Sequence, residues 1–205
     1  MIPPRTRTLT LLALVPTLAL LLAGCSRHTA LTLKADLVAF LDPASKQATV
    51  SYSGGSTTIE LPPNSSAPQA GTLVDLQKLG VPSDTIQNIT GLALDFAASV
   101  QPDSAIGAGN ATLFIAGASE TNVFQSQYAV GTVPIPALPA NQATAIAGSF
   151  QLDAQQHPAA LAKVQSGSFR LGVQLQATAS SGGQARLDVT RLLVSVSLPP
   201  GWGLP

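Results

Sequence analysis

Residues 168–198 read SFRLGVQLQATASSGGQARLDVTRLLVSVSL. In the first twelve, Phe169, Leu171, Val173, Leu175, Ala177 and Ala179 occupy odd positions, with Arg170, Gln174, Gln176 and Thr178 between them. Successive side chains of an extended chain point to opposite faces, so this is a strand with one apolar and one wetted face. Ser180-Ser181-Gly182-Gly183 supplies the glycines of a hairpin loop, and a return strand is expected from Gln184 to Leu198. Within that return the apolar parity changes, from odd at Leu187 and Val189 to even at Leu192, Val194, Val196 and Leu198. One extra residue restores the inward face, so the slip predicts a β-bulge at Thr190-Arg191.

The same period recurs along the chain. Leu31 to Leu41 alternates, and Ala48, Val50 and Tyr52 form a second strand. Ser53-Gly54-Gly55 is a turn, with Thr57, Ile59 and Leu61 beyond it. Leu92 to Val100, Leu113 with Ile115, Phe124 to Val130, and Ile146 to Leu152 complete the set. About nine short strands separated by Gly, Pro, Asn and Asp predict an all-β domain, a single antiparallel β-sandwich or else a β-barrel. The shared strand, Gly-Gly turn, strand plan of 31–61 and 169–198 is read as convergent turn chemistry.

One or two short connector helices are expected. Thr72 and Asp75 resemble a capping box ahead of Leu73, Leu76 and Leu79, with Gly80 as a stop. A second starts at Pro158 and runs through Leu161 and Val164 to Gly167. Residues 62–71, with three prolines among Ser and Asn, read as a mobile loop. Residues 133–141, with Pro134, Pro136 and Pro139, read as an extended edge crossing.

The chain has 205 residues, 45% hydrophobic and only 10% charged, with ten basic and ten acidic side chains. A nucleic-acid binder needs a basic surplus, and none is present. Aromatic residues make up 4%, so the core must be built from Leu, Val, Ile and Ala. The single cysteine excludes an internal disulfide.

The amino terminus differs from the rest. Arg5 and Arg7 precede the fifteen uncharged residues Thr8 to Leu22, and Ala23 and Gly24 follow. Basic, apolar and small-residue segments in that order make an export signal. Fifteen helical residues span roughly 22 Å, short of the roughly 30 Å hydrocarbon core, and Pro16 interrupts them.

Leu22-Ala23-Gly24-Cys25 resembles the lipobox of bacterial lipoproteins. The resemblance covers about the first 26 residues. It implies signal-peptidase recognition of Leu22, Ala23 and Gly24, cleavage before Cys25, and a diacylglycerol on the Cys25 thiol with acylation of the new amine. The chemistry needs a thiol for the thioether, small neighbours for the peptidase, and an apolar run holding the site at the membrane. Two or three acyl chains anchor stably where one does not. The resemblance also implies placement in the cell envelope, and Ser26 after the cysteine permits outer-membrane sorting. The expected organisation is a signal peptide over 1–24, a lipidated Cys25 with short tether over 25–30, and a β-sandwich over 31–205. Cleavage leaves eight basic against ten acidic side chains, a charge near −2. Anionic lipid attraction is then not what holds the domain.

Chemistry-bearing constellations are sparse. His28 and His157 lie far apart, and with Cys25 committed to lipid no zinc set remains. His157 is read as an exposed residue at a helix start. Gly107-Ala108-Gly109 lacks a third glycine and precedes a strand, so it reads as a turn rather than a dinucleotide loop. The carboxylates are scattered, and Asp36 and Asp95 fall at polar parity within strands. No catalytic residue, metal or cofactor is assigned. Trp202, the only tryptophan, either folds back over the core or stands as an exposed aromatic contact. The expected role is a non-catalytic structural or protein-interaction module, anchored in the membrane through Cys25 and contacting an envelope protein. A carrier of lipid or another apolar ligand is the alternative, and an envelope enzyme with a site dispersed in sequence is the third.

Overall fold

In a computed structural model, residues 32–41, 43–61 and 69–199 are described. Cys25 with Leu22, Ala23 and Gly24, His28, most of the Pro-rich loop, and Trp202 all lie outside them.

Ten strands carry the fold: β1 (Thr32–Asp36), β2 (Gln47–Tyr52), β3 (Gly55–Leu61), β4 (Thr72–Asp75), β5 (Gly91–Pro102), β6 (Gly109–Gly117), β7 (Ala129–Ile135), β8 (Thr144–Asp153), β9 (Ser168–Ala179) and β10 (Gly183–Ser197). Sheet A runs β1-β10-β5-β8, with β2 also on β10; sheet B runs β3-β9-β6-β7, with β4 also on β9. β1 and β2 take successive stretches of one edge of β10, as β3 and β4 do on β9. Each antiparallel sheet is thus four strands wide, and the order is that of a double Greek-key jelly roll whose first two strands are each broken in two. The two sheets remain separate layers, so the fold is a sandwich and the barrel alternative does not hold.

The apolar faces meet as the period of two requires. Leu92, Leu94, Phe96, Ala98 and Val100 of β5 face Leu171, Val173 and Leu175 of β9, all of them buried. The β10 bulge falls where the parity slip places it, with the register against β5 shifting between Val189 and Arg191. The helix at Pro158 also forms, from Pro158 to Gln165, with Leu161 and Val164 buried and Gly167 at φ +89° as its stop.

Several expectations need correction. The 180–183 segment is not a hairpin, because β9 lies in sheet B and β10 in sheet A; it is an arch between layers. The 53–55 turn is the same kind of arch, and the two stack, with β2 on β10, β3 on β9, and the Gly54 Cα facing Ser181 and Gly182. Their similarity therefore has a structural counterpart: two adjacent corners cross together between sheets. Tyr52 locks this end, its Oη donating to Asp103 Oδ1 (3.0 Å) and accepting from Ser104 N (3.1 Å). The hydrogen bond from the Gln184 backbone, and then that from Tyr52, hold the Asp103 carboxyl below the usual range.

The helix expected from Thr72 is instead strand β4, which aligns with Phe169 and Arg170; Leu73 is 51% exposed, so the spacing of three does not mark a buried face. Asp75 does cap, but it caps the following turn, accepting from Gln77 N and Lys78 N. The first strand stops at Asp36, whose carboxylate accepts from Val38 N and starts a 3₁₀ turn over Leu37–Phe40. The short helices α1 (Pro43–Lys46) and α2 (Ser83–Ile86) were not anticipated; Pro158–Gln165 is α3. Phe124 and Tyr128 precede β7 rather than forming it, and Pro134 sits on that edge strand, where a missing N–H is harmless.

Candidate functional site

Thr32 pairs with Ser197, Ser197 with Gly91, and Gly91 with Asp153. The described chain therefore begins and β10 finishes at one end of sheet A, the end where β8 also finishes. The arches lie at the other end. Between Cys25 and Thr32 there are seven steps, at most roughly 25 Å of extended chain. The predicted lipidation and peptidase residues and Trp202 lie outside the described residues, so no contact is assigned to them.

Among the described residues, one void between the facing sheets is small. The void bounded by Leu61, Phe96, Ala98, Val173, Val189 and Leu192 is about 10 Å³, no more than one water needs. The scarcity of aromatic residues is met by close packing of aliphatic ones, with Leu94, Leu113, Ile115 and Leu187 at 0% exposure.

The two outer faces differ. Over sheet B, residues 118–128 fold back, placing Val123 and Phe124 on Phe114, with the Phe114 and Phe124 rings edge-to-face at 5.5 Å. Gly172 makes room for the Phe124 ring, which a Cβ there would meet at 2.7 Å. Arg170 staples the cover down, donating from Nε to the Ala118 carbonyl (3.0 Å) and from Nη1 to the Ala70 carbonyl (3.2 Å).

The rest of face B is polar, with Glu60, Gln174, Thr112 and Thr132 in one row. Burial pushes the Glu60 carboxyl above its ordinary value, and the Gln174 amide offsets part of that. A carboxyl that holds its proton more tightly when folded contributes stability below its unfolded pKa, and that contribution is lost as pH rises through the folded value. Glu60→Gln is therefore expected to raise the melting temperature at pH 7 and leave it unchanged at pH 3, as melts at both pH values would read out.

Among the described residues, face A carries no covering layer. Its outward rows include Ala93 with Ser195, Ala97 with Ala147, and Ser99 with Ala145, with Asp95 between Leu193 and Ser149. Asp95 is thus on the wetted face, where its parity put it. Strand β8, at the edge of this sheet, ladders with β5 alone among the described residues. β7 approaches its inner side, Val133 lying against Gly148, without joining the ladder.

Among the described residues, two surface hollows lie near the end of sheet A where Thr32, Ser197 and Asp153 fall. One, about 100 Å³, lies between Leu33, Lys34 and Ala35 of β1, Val194 and Val196 of β10, and the 76–81 turn. The other, about 180 Å³, lies between the start of β7 and α3, lined by Gln127, Tyr128, Gln156, His157, Ala160 and Lys163. Sequence reading places His157 correctly at a helix start but not as an exposed group: its Nδ1 is buried and has no hydrogen-bond partner. Among the described residues no three of His, Cys, Asp and Glu come together. No described helix is long and apolar enough to cross a membrane.

No protein-family profile matches the chain. No curated protein matches it in sequence. Among solved structures it is similar to a chain from the structure of infectious bursal disease virus Gx strain, at 16% identity and TM-score 0.36, covering 87% of this chain and 35% of that one. The VP2 subviral particle of the same virus gives 12% identity and TM-score 0.39, covering 84% and 33%. TmCBM61, solved with β-1,4-galactotriose, gives 10% and 0.32, covering 83% and 81%. The chain thus spans about a third of the viral chains it resembles. These likenesses carry no functional weight, and the jelly-roll order rests on the strand pairings themselves.

Proposed function

We propose that this chain is a lipid-anchored protein of the bacterial cell envelope that acts as a non-catalytic binding module, taking an extended segment of a partner protein along the free edge of β8. The export segment and Leu22-Ala23-Gly24-Cys25 support the anchor. The contact rests on one observation: β8 is ten residues long, pairs on one side only among the described residues, and contains no Pro, Lys or Arg. Long edge strands are ordinarily blunted by such residues, because unpaired N–H and C=O groups invite another strand. β7, the edge of sheet B, carries Pro134, and the opposite edges are split into short strands.

The small void beside Leu61, Phe96 and Val173 favours surface contact over the carrier reading, since an acyl chain does not fit there. A photo-crosslinking residue at Ala145, in the native host, is expected to give one discrete adduct, and the same residue at Thr49 on β2 none. Ala147→Lys should abolish the adduct while changing stability by no more than about 0.5 kcal/mol. An adduct that survives Ala147→Lys, or none at Ala145, contradicts the assignment.

A further inference from the structure

Two large apolar side chains are exposed among the described residues, Phe40 at 67% and Leu73 at 51%. Apolar residues scattered singly over a surface need no explanation, but these two share one flank of the sandwich. Phe40 ends the 3₁₀ turn that follows β1, and Leu73 lies in β4. β1 and β4 are outer strands, on β10 and β9 respectively. Their alignment with residues 193–197 and 168–171 puts both at the end away from the arches. The hollow of about 100 Å³ marks where they face each other, with Leu33 and Ala35 of β1 on one side and Leu76, Leu79 and Val81, just after β4, on the other. Leu33 and Leu79 are only half-buried, so apolar surface is also open in the mouth between the two strands. Among the described residues, the opposite flank, formed by β7 and β8, exposes no large apolar side chain.

Charge does not set the β1/β4 flank apart. Lys34, Lys46 and Lys78 lie on it, but so do Asp36 and Asp75, and Lys78 Nζ approaches Asp75 at 3.9 Å. What it offers a partner is apolar, with lysine stems long enough to keep their ammonium groups in water beside an inserted side chain. The chain also leaves from here, since β1 starts at Thr32, seven steps from Cys25 and so within roughly 25 Å of it.

We propose that this flank rests on a phospholipid bilayer, with Phe40 and Leu73 entering the headgroup region. The proposal rests on the lipid anchor at Cys25 and extends it to an orientation. Strand β8 lies three strands from β1 across sheet A, about 14 Å away, so its free edge is held on the side facing away from the lipid, where a partner reaches it.

The test uses the full lipidated chain in phosphatidylcholine vesicles. Cys25 is the only cysteine and its thiol is taken by the lipid, so one added cysteine can be labelled alone. An environment-sensitive fluorophore is placed in turn through Ala39→Cys, Gln77→Cys and Ala145→Cys, all at exposed positions, and is quenched by a nitroxide on the lipid acyl chains. Quenching about threefold or more stronger at 39 and 77 than at 145 is expected, and added salt should leave it unchanged. Phe40→Ser combined with Leu73→Ser should remove the contrast while the chain stays on the vesicles. Equal quenching at the three positions, a contrast that survives the double substitution, or one that salt abolishes overturns the proposal. A blue shift at 39 and 77 already present without vesicles overturns it too, because it marks contact with a second copy of the chain. The two readings fail separately: a chain that does not float with the vesicles loses the anchor and the orientation with it, whereas one that floats without the contrast loses the orientation alone.

Discussion

Gly109→Ala is expected to lower the melting temperature by roughly 10 °C, an effect of about 3 kcal/mol in a domain this size. Gly109 opens β6, between β7 and β9 in the middle of sheet B. A Cβ at this position would run into the Gln176 carbonyl oxygen and would lie 2.7 Å from the Ala177 Cβ. The first obstacle is backbone of a central strand, so relief requires moving β9 and the ladders on both its sides. A methyl group that displaces only a flexible side chain costs far less. Gly117, at the other end of β6, meets nothing nearer than the Glu120 Cγ at 3.9 Å, so Gly117→Ala should be close to neutral. Thermal melts of the pair separate close approach from a general dislike of alanine in this strand.

Leu94→Ala is expected to cost about 3–5 kcal/mol. Leu94 lies at the middle of β5 at 0% exposure, on the face that meets sheet B, with Val194 and Phe150 as its lateral neighbours in sheet A. The penalty combines lost transfer energy with the cavity left behind, and the second part shrinks only where neighbours can collapse. Here they are held by ladders on both sides, and the nearby void is already only about 10 Å³. The cost should therefore fall in the upper part of the range for such truncations, a large fraction of the 5–15 kcal/mol that holds a typical domain together. Leu94→Met, nearly volume-conserving, should cost less than about 1.5 kcal/mol. Denaturant melts of both variants with unchanged slope would confirm that the native state, not its cooperativity, is what changes.

The alternation in 168–179 and the parity slip at 190–191 were legible because strand faces follow a strict period of two and a bulge is the direct repair of a slip. That period says which face a residue takes but not which sheet a strand joins. The Gly-rich segments at 53–55 and 180–183 accordingly read as hairpins, whereas the pairing of β2 with β10 and of β3 with β9 makes them inter-sheet arches. β4 was misread because Leu73, Leu76 and Leu79 happen to be spaced by three; only the partner strand β9, nearly a hundred residues away, decides that Val74 and not Leu73 points inward.

The candidate sites were less visible still. Nothing in the spacing of His157 and Lys163 foretells that Tyr128, from a different loop, closes the hollow over them. Strand β8 was seen, but not as an edge, because edge position is a property of the sheet. The absence of Pro, Lys and Arg within 144–153 was the one signal available in advance, and it acquires meaning only once β8 is known to pair on one side.

The proposed anchor is the central functional claim, and intact mass spectrometry of the protein extracted from its native membranes tests it most directly. The expected species is a chain that begins at Cys25, lacks residues 1–24, and exceeds the mass of residues 25–205 by a thioether-linked diacylglycerol and an amide-linked acyl chain. Cys25→Ser should eliminate that species and leave the uncleaved chain or a lipid-free one. A wild-type protein whose Cys25 carries no lipid would contradict the lipoprotein assignment outright.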